Sequence, residues 1–485
     1  MFNLVFTILL VSGIPVNDGK EDAHKFPANF LFGASTSAYQ IEGGNEKLYG
    51  KGENMWDFSI KKNPFIIANK SNAEISCDSY HKYRNDIELL KYLGVNFYRF
   101  SISWSRLLPD GYSNKVNTHA VRYYNDVINL LLMNGIEPMV TLHHKDLPQK
   151  LQEIGGWTNP YLAYYYEDYA RIVFTYFGDR VKYWITFNEI CVGYGGNIEP
   201  PFLNQPEHAG YLCRNVILLA HAKAYHLYDQ VFRNIQRGQV GYLIEGRWLQ
   251  SATEQPEDLK AAERARQFFF GLQGNAVFHP DGDFPEVMKR RIAEISKKQG
   301  YLRSRLPDLS KEEVTFIQGT YDFLAVNYYS TVLIKDSNTT KDDVGVDKFQ
   351  NEEWKKSASE WLRVYPDGLR NILRWVKDTF DNPEVFITEN GFSDHGELND
   401  TDRVSYLKLH LEALLQAIYE DKIPVKGYSV WSLLDNFEWM AGYTEKFGLF
   451  HVNFNDPQRT RTTKLSAKWY KKVIAERTPS VVDYY

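Results

Sequence analysis

Eight apolar runs of strand length recur along the chain, and the segments between them carry apolar residues at three- and four-residue spacing, so strand and helix patterns alternate from end to end. The runs are FLFGASTSAYQ from Phe30, VNFYRFSISW from Val95, EPMVTLHH from Glu137, YWITFNE from Tyr183, QVGYLIEGRW from Gln239, YDFLAVNYYS from Tyr321, VFITENG from Val385 and VKGYSVWSLLDN from Val425. Helical spacing covers His81 to Leu93, Ala120 to Met133, Asn159 to Phe177, Tyr211 to Arg233 and Arg403 to Tyr419. Such alternation builds either an open doubly wound sheet or a closed barrel, and eight units favour the barrel. The expected class is therefore α/β, a single (β/α)8 TIM barrel. At 485 residues the chain exceeds the usual barrel of about 250, so long strand-to-helix loops are expected at Ile41 to Cys77, Ile190 to Cys213, Ser251 to Gly319 and Thr331 to Tyr365.

Polar and aromatic residues collect at the carboxyl ends of these runs: Gln40, Arg99, His144, Asn188, Glu189, Asn327, Tyr329, Glu389 and Trp431. That is where barrel enzymes build their sites. VFITENG delivers one acid, Glu389, into an Asn-Gly turn, and YWITFNE repeats the arrangement with Asn188 and Glu189. One acid closing a strand is more often a polar terminus than a catalyst. Two acids placed alike suggest a pair.

The balance of 61 acids against 56 bases removes the electrostatic case for a nucleic-acid or anionic-membrane partner, and no run after the leader reaches membrane-spanning length. Residues 1–20 open on a short apolar stretch followed by charged residues and read as a signal peptide, leaving 21–485 as the barrel domain of a secreted protein. Sequons at Asn69, Asn338 and Asn399 suit glycosylation in that pathway. Among Cys77, Cys191 and Cys213, only Cys191 and Cys213 form a local pair, and the sequence leaves that disulfide open. No CxxC, HExxH or phosphate-loop pattern occurs, so neither a metal nor another cofactor is expected.

FLFGASTSAYQIEG, YRFSISWSRLLP, TFNE, VNYYS, VFITENGF, WSLLDNFEW and EKFGL occur in this order. With them the chain, from about Phe26 to about Val482, resembles glycoside hydrolase family 1, the β-glucosidase family, in a secreted, insect-like form. The resemblance implies that Glu189 of TFNE is the acid/base and Glu389 of ITENG the nucleophile. Retaining hydrolysis needs two carboxyls about 5 Å apart, which strand ends of one barrel can supply. It also implies that Arg99 and Tyr329 support the nucleophile, although residue type alone favours a surface charge and a core aromatic. Gln40, His144, Asn188, Asn327, Trp431, Glu438 and Trp439 become the sugar-binding set, with Glu438 expected to repel a phosphorylated sugar. A cation should keep Glu389 ionised, while an apolar setting beside a negative charge should keep Glu189 protonated.

Two departures stand out. The family's usual HWDLP reads His144-Lys145-Asp146-Leu147-Pro148 here, and TFNE is followed by Ile190 rather than Pro. Lys145 either replaces the lost indole donor or turns to solvent. The first expectation is a retaining β-glucosidase releasing the terminal β-D-glucosyl residue of small glycosides. A myrosinase-type thioglucosidase, with Lys145 or Arg247 drawing a sulfated aglycone, is the alternative. A catalytically silent sugar-binding protein is the third.

Overall fold

A computed structural model describes residues 22–45, 47–191, 206–337 and 342–481. All eight apolar runs form strands: β1 (Leu31–Ser35), β2 (Phe97–Ser101), β3 (Glu137–His143), β4 (Tyr183–Phe187), β5 (Gln239–Ser251), β6 (Phe323–Asp336), β7 (Val385–Asn390) and β8 (Val425–Trp431). They lie in the order β5-β4-β3-β2-β1-β8-β7-β6, each neighbour parallel, and β6 pairs with β5 to close the ring. The expected (β/α)8 barrel is the fold.

Inside the ring, Phe97, Met139, Ile185, Leu243, Phe323, Ala325 and Phe386 form one apolar plug. Space for it comes from glycine: a Cβ on Gly33 would lie 2.5 Å from the Phe97 ring, and one on Gly241 would lie 2.2 Å from that of Phe323. The plug fills the barrel, so the polar strand ends above it line a pocket and not a channel.

Helices on the outside bury one face against the strands, as the spacing predicts. Ser79–Leu93 ends where Gly94 enters the left-handed region at φ +78° and its N–H reaches the Leu90 carbonyl. The helix expected at Asn159 starts at Leu162, and the one expected over Tyr211 to Arg233 runs Pro206–Leu227 before a wider turn at Tyr228–Phe232.

The loop expectations need correction. Ser251 to Gly319 is mostly helical, with Pro256–Arg266, Leu272–Phe278, Glu286–Lys298 and Lys311–Ile317. Thr331 to Tyr365 begins as a continuation of β6, which overruns the barrel and pairs antiparallel with Val346–Phe349. Cys191 and Cys213 are bonded, closing the loop after β4, while Cys77 is free and buried. The leader at 1–20, Asn338 and the interior of the loop after β4 lie outside the described residues; Asn69 and Asn399 are exposed. Among the described residues no helix is long and apolar enough to cross a membrane.

Candidate active site

The carboxyl ends of the strands surround a cavity of about 740 Å³ whose lining includes Glu189, Glu389, His144, Lys145, Asn188, Tyr329, Trp431, Glu438 and Trp439. The β7 carboxylate, Glu389, is buried and has both oxygens occupied. Arg99 Nη1, from β2, donates to Oε1 at 2.6 Å, and Tyr329 OH, from β6, donates to Oε2 at 2.7 Å. The other guanidinium nitrogen of Arg99 reaches Asn188 Oδ1 at 2.6 Å, so β2 ties the ends of β4 and β7 together.

Asn188 is the joint of the site. Its Oδ1 also accepts from Asn327 Nδ2 at 3.0 Å, and its own amide donates to His144 Nε2 at 3.0 Å. Burial, then the nearby Arg99 and Lys145, keep the His144 pKa well below that of a free imidazole, so the ring is neutral and Nε2 can accept. Asn327 uses its second N–H on Glu189 Oε1 at 2.8 Å, and its own oxygen accepts from Thr388 at 2.7 Å. Asn327 therefore orients Glu189 rather than facing the cavity.

Lys145 does not turn to solvent; it lines the cavity as a donor. Its ammonium meets Glu189 Oε2 at 2.9 Å, with the two side chains only 3% and 10% exposed. The backbones of Lys145 and Glu189 lie in the left-handed region, at φ +62° and +46°, which costs each of them about 1–3 kcal/mol. The indole N–H of Trp56 holds the Lys145 carbonyl at 2.9 Å, and the Nζ lies 5.8 Å from the Trp439 ring centre.

The two carboxyls shift in the directions opposite to those expected. Burial works to raise Glu189, but Lys145, Asn327 and Arg99 together outweigh it and hold the carboxyl below its ordinary range. Burial raises Glu389, with Arg99 opposing and the charge of Glu189 assisting the rise.

On the far side, Gln40 Nε2 donates to Asn436 Oδ1 and the Phe437 carbonyl at 2.9 Å and to Glu438 Oε2 at 3.2 Å, so it stands behind Glu438. Trp431 Nε1 donates to the other Glu438 oxygen at 3.2 Å. Burial pushes Glu438 up to about 8. His144 stacks between Trp431 and Trp439, at 5.8 and 6.0 Å between ring centres.

Glu245 and Trp361 are among the cavity residues that the sequence reading missed. Glu245, inside GYLIEGRW on β5, sits near Glu189 and is pushed up to about 7 by burial and by that charge; its acid-after-apolar-run pattern was the available signal. Trp361 lies in a segment without periodicity, and Arg247 covers its ring at 5.9 Å while pairing with Glu245 at 3.6 Å. Arg247, Phe268, Phe269 and Lys348 also line an adjoining cavity of about 300 Å³.

The profile described as Glycosyl hydrolase family 1 matches residues 22–479. Myrosinase 1 of Brevicoryne brassicae is 46% identical over 466 residues, covering 94% of this chain and 100% of that protein. The cytosolic beta-glucosidase of Homo sapiens is 42% identical over 462 residues, covering 93% and 98%. Among solved structures, an aphid myrosinase superposes with a TM-score of 0.89 at 45% identity, covering 93% of this chain and 99% of that one.

Proposed function

Because this chain belongs to glycosyl hydrolase family 1, and is thus a glycoside hydrolase, we propose that it cleaves the terminal β-D-glucosyl residue of small β-glucosides with retention of configuration. The observation that carries this reading is the joining of Glu389 and Glu189, from opposite parts of the sequence, through Arg99, Asn188 and Asn327 at one cavity. A Glu389 oxygen attacks the anomeric carbon as the bond to the aglycone breaks, and the departing oxygen keeps the bonding pair and takes the proton of Glu189, giving a glycosyl ester and the free alcohol. Glu189 then takes a proton from water as the water oxygen displaces Glu389, releasing glucose. Arg99 and Tyr329 hold the nucleophile. Glu438, backed by Gln40 and Trp431, receives sugar hydroxyls, and Trp439 and His144 offer flat walls.

A second reading, a thioglucosidase, is favoured by the Lys145–Glu189 pair, since a leaving group that departs as a stable anion needs no acid. The relative named Myrosinase 1 points the same way. Arg247, over Trp361 at the cavity, is the cation available for an anionic aglycone. Side-by-side turnover of an aryl β-glucoside, cellobiose and a glucosinolate by the purified protein tests both: cellobiose cleavage supports the first reading, glucosinolate preference the second, and no turnover of any sinks both. The apolar leader at 1–20, the exposed Asn69 and Asn399 and the Cys191–Cys213 disulfide support a secreted glycoprotein acting on a small-molecule substrate.

A further inference from the structure

Glu189 is surrounded by donors. Asn327 Nδ2 gives its N–H to Oε1 at 2.8 Å, and the Lys145 ammonium gives one to Oε2 at 2.9 Å. A carboxylic acid needs an acceptor for its own proton, but an ammonium has no lone pair, and Asn327 turns its N–H to Glu189 and its oxygen to Thr388. Both oxygens are thus arranged to receive hydrogen bonds, which is the geometry of a carboxylate. Lys145 has little freedom to leave, with its carbonyl held by Trp56 and its ammonium near Trp439.

We propose that Lys145 keeps Glu189 in its carboxylate form, and so narrows this enzyme to β-glycosides and β-thioglycosides whose aglycone departs as a weak base. The proposal rests on the assignment of Glu189 as the acid/base. In the first half-reaction the Glu389 oxygen bonds to the anomeric carbon, and the pair of the breaking C–O or C–S bond leaves with the aglycone, which stays an anion and takes its proton later from solvent. In the second, Glu189 accepts the proton of the attacking water, the ester to Glu389 breaks, and Glu189 returns the proton to solvent. Lys145 stays an ammonium throughout. It is a positioning and specificity residue acting through Glu189: it suppresses acid assistance to departure and keeps Glu189 ionised, as a weaker base, for the attacking water.

The other groups acting on Glu189 do not duplicate this. Arg99 acts in the same direction but is spent on Glu389 and Asn188. The charge of Glu189 in turn raises Glu389, Glu245 and Tyr329, and burial keeps His144 neutral. Lys145 is therefore the group whose removal should let Glu189 keep a proton near neutral pH.

The test compares kcat/KM for hexyl β-glucoside and 2,4-dinitrophenyl β-glucoside across pH in the full-length wild type, Lys145→Met, Lys145→Trp and Glu189→Ala. The hexyl alkoxide needs a proton to leave and the dinitrophenolate does not. In the wild type the alkaline limb for the hexyl substrate is expected on the acidic side of neutrality. Both Lys145 variants should move it up by roughly one pH unit or more, and raise the hexyl-to-dinitrophenyl ratio at pH 7 by roughly tenfold. A lysine that only packs would leave the limb where it is, so an unmoved limb and ratio overturn the proposal. Below the wild-type limb, where Glu189 carries its proton, equal losses on both substrates in Glu189→Ala would remove the acid/base assignment, whereas a selective hexyl loss there with an unmoved limb in the Lys145 variants overturns this inference alone. If neither lysine variant folds, a wild-type hexyl limb above neutrality overturns it.

Discussion

Glu389 and Arg99 form a buried pair at 2.6 Å, so removing the carboxylate leaves a guanidinium enclosed with Asn188 as its remaining polar side-chain partner at that end. A small anion should be drawn into the vacated space. Glu389→Ala is expected to abolish turnover, and azide or formate should partly restore it with an inverted product, read by the anomeric proton signal. Rescue with a retained product would take Glu389 out of the nucleophile's place. At this scale the sequence exposed residue types but not their partners. Glu189 and Glu389 could be picked out because each follows an apolar run into a turn. The Lys145 contact could not, since it joins the ends of β3 and β4 through space, where it lowers Glu189 together with Asn327 and Arg99. Glu245 could have been found by the pattern already applied to the other two acids.

Strands were legible because each is a near-continuous apolar run, as strands buried on both faces must be. The helices between β5 and β6 were not, because their apolar faces are interrupted and charged residues dominate. Local signals were nonetheless present: Pro256 opens a helix with Glu257 and Asp258 in its first turn and Arg264 and Arg266 in its last, as the helix dipole favours. The overrun of β5 and β6 was hidden for another reason, since polar residues such as Arg247, Gln250 and Lys335 break the run where the pair leaves the barrel and lines the adjoining cavity. Within the barrel the same strands depend on a small residue facing a large one. Gly241→Ala would drive a methyl into the Phe323 ring, which is packed against Phe386 at 5.1 Å between ring centres. The expected cost is about 1–3 kcal/mol, read as a lower urea midpoint with an unchanged slope. A neutral result would mean that the plug relaxes and that glycine is not needed there.

A closed barrel makes its first strand depend on its last. β1 pairs with β2 on one side and β8 on the other, with Leu31 beside Gly427 and Ser35 beside Trp431, so the edge facing β8 is not satisfied until almost the whole chain has folded. The chain ends reinforce this seam below the pocket. The C-terminal helix Leu465–Glu476 lays Tyr470 against β1, its hydroxyl donating to the Gly33 carbonyl at 2.9 Å. Arg477, just past that helix, donates to the carbonyls of Phe26, Pro27 and Phe30, and its guanidinium lies 5.6 Å from the centre of the Phe32 ring. Phe26, Phe30 and Phe32 themselves cluster at 4.5 to 5.2 Å between ring centres. Because Arg477 closes the segment before β1 onto the segment after β8, it stabilises the ring as a whole and not one element. Arg477→Ala strands up to three carbonyl acceptors and is expected to cost on the order of 2 kcal/mol. If seam and barrel are one cooperative unit, urea unfolding followed by tryptophan fluorescence and by loss of hydrolysis should shift together to a lower midpoint in a single transition. An early transition that loosens the termini while hydrolysis persists would show instead that the seam opens independently and that the pocket does not rely on it.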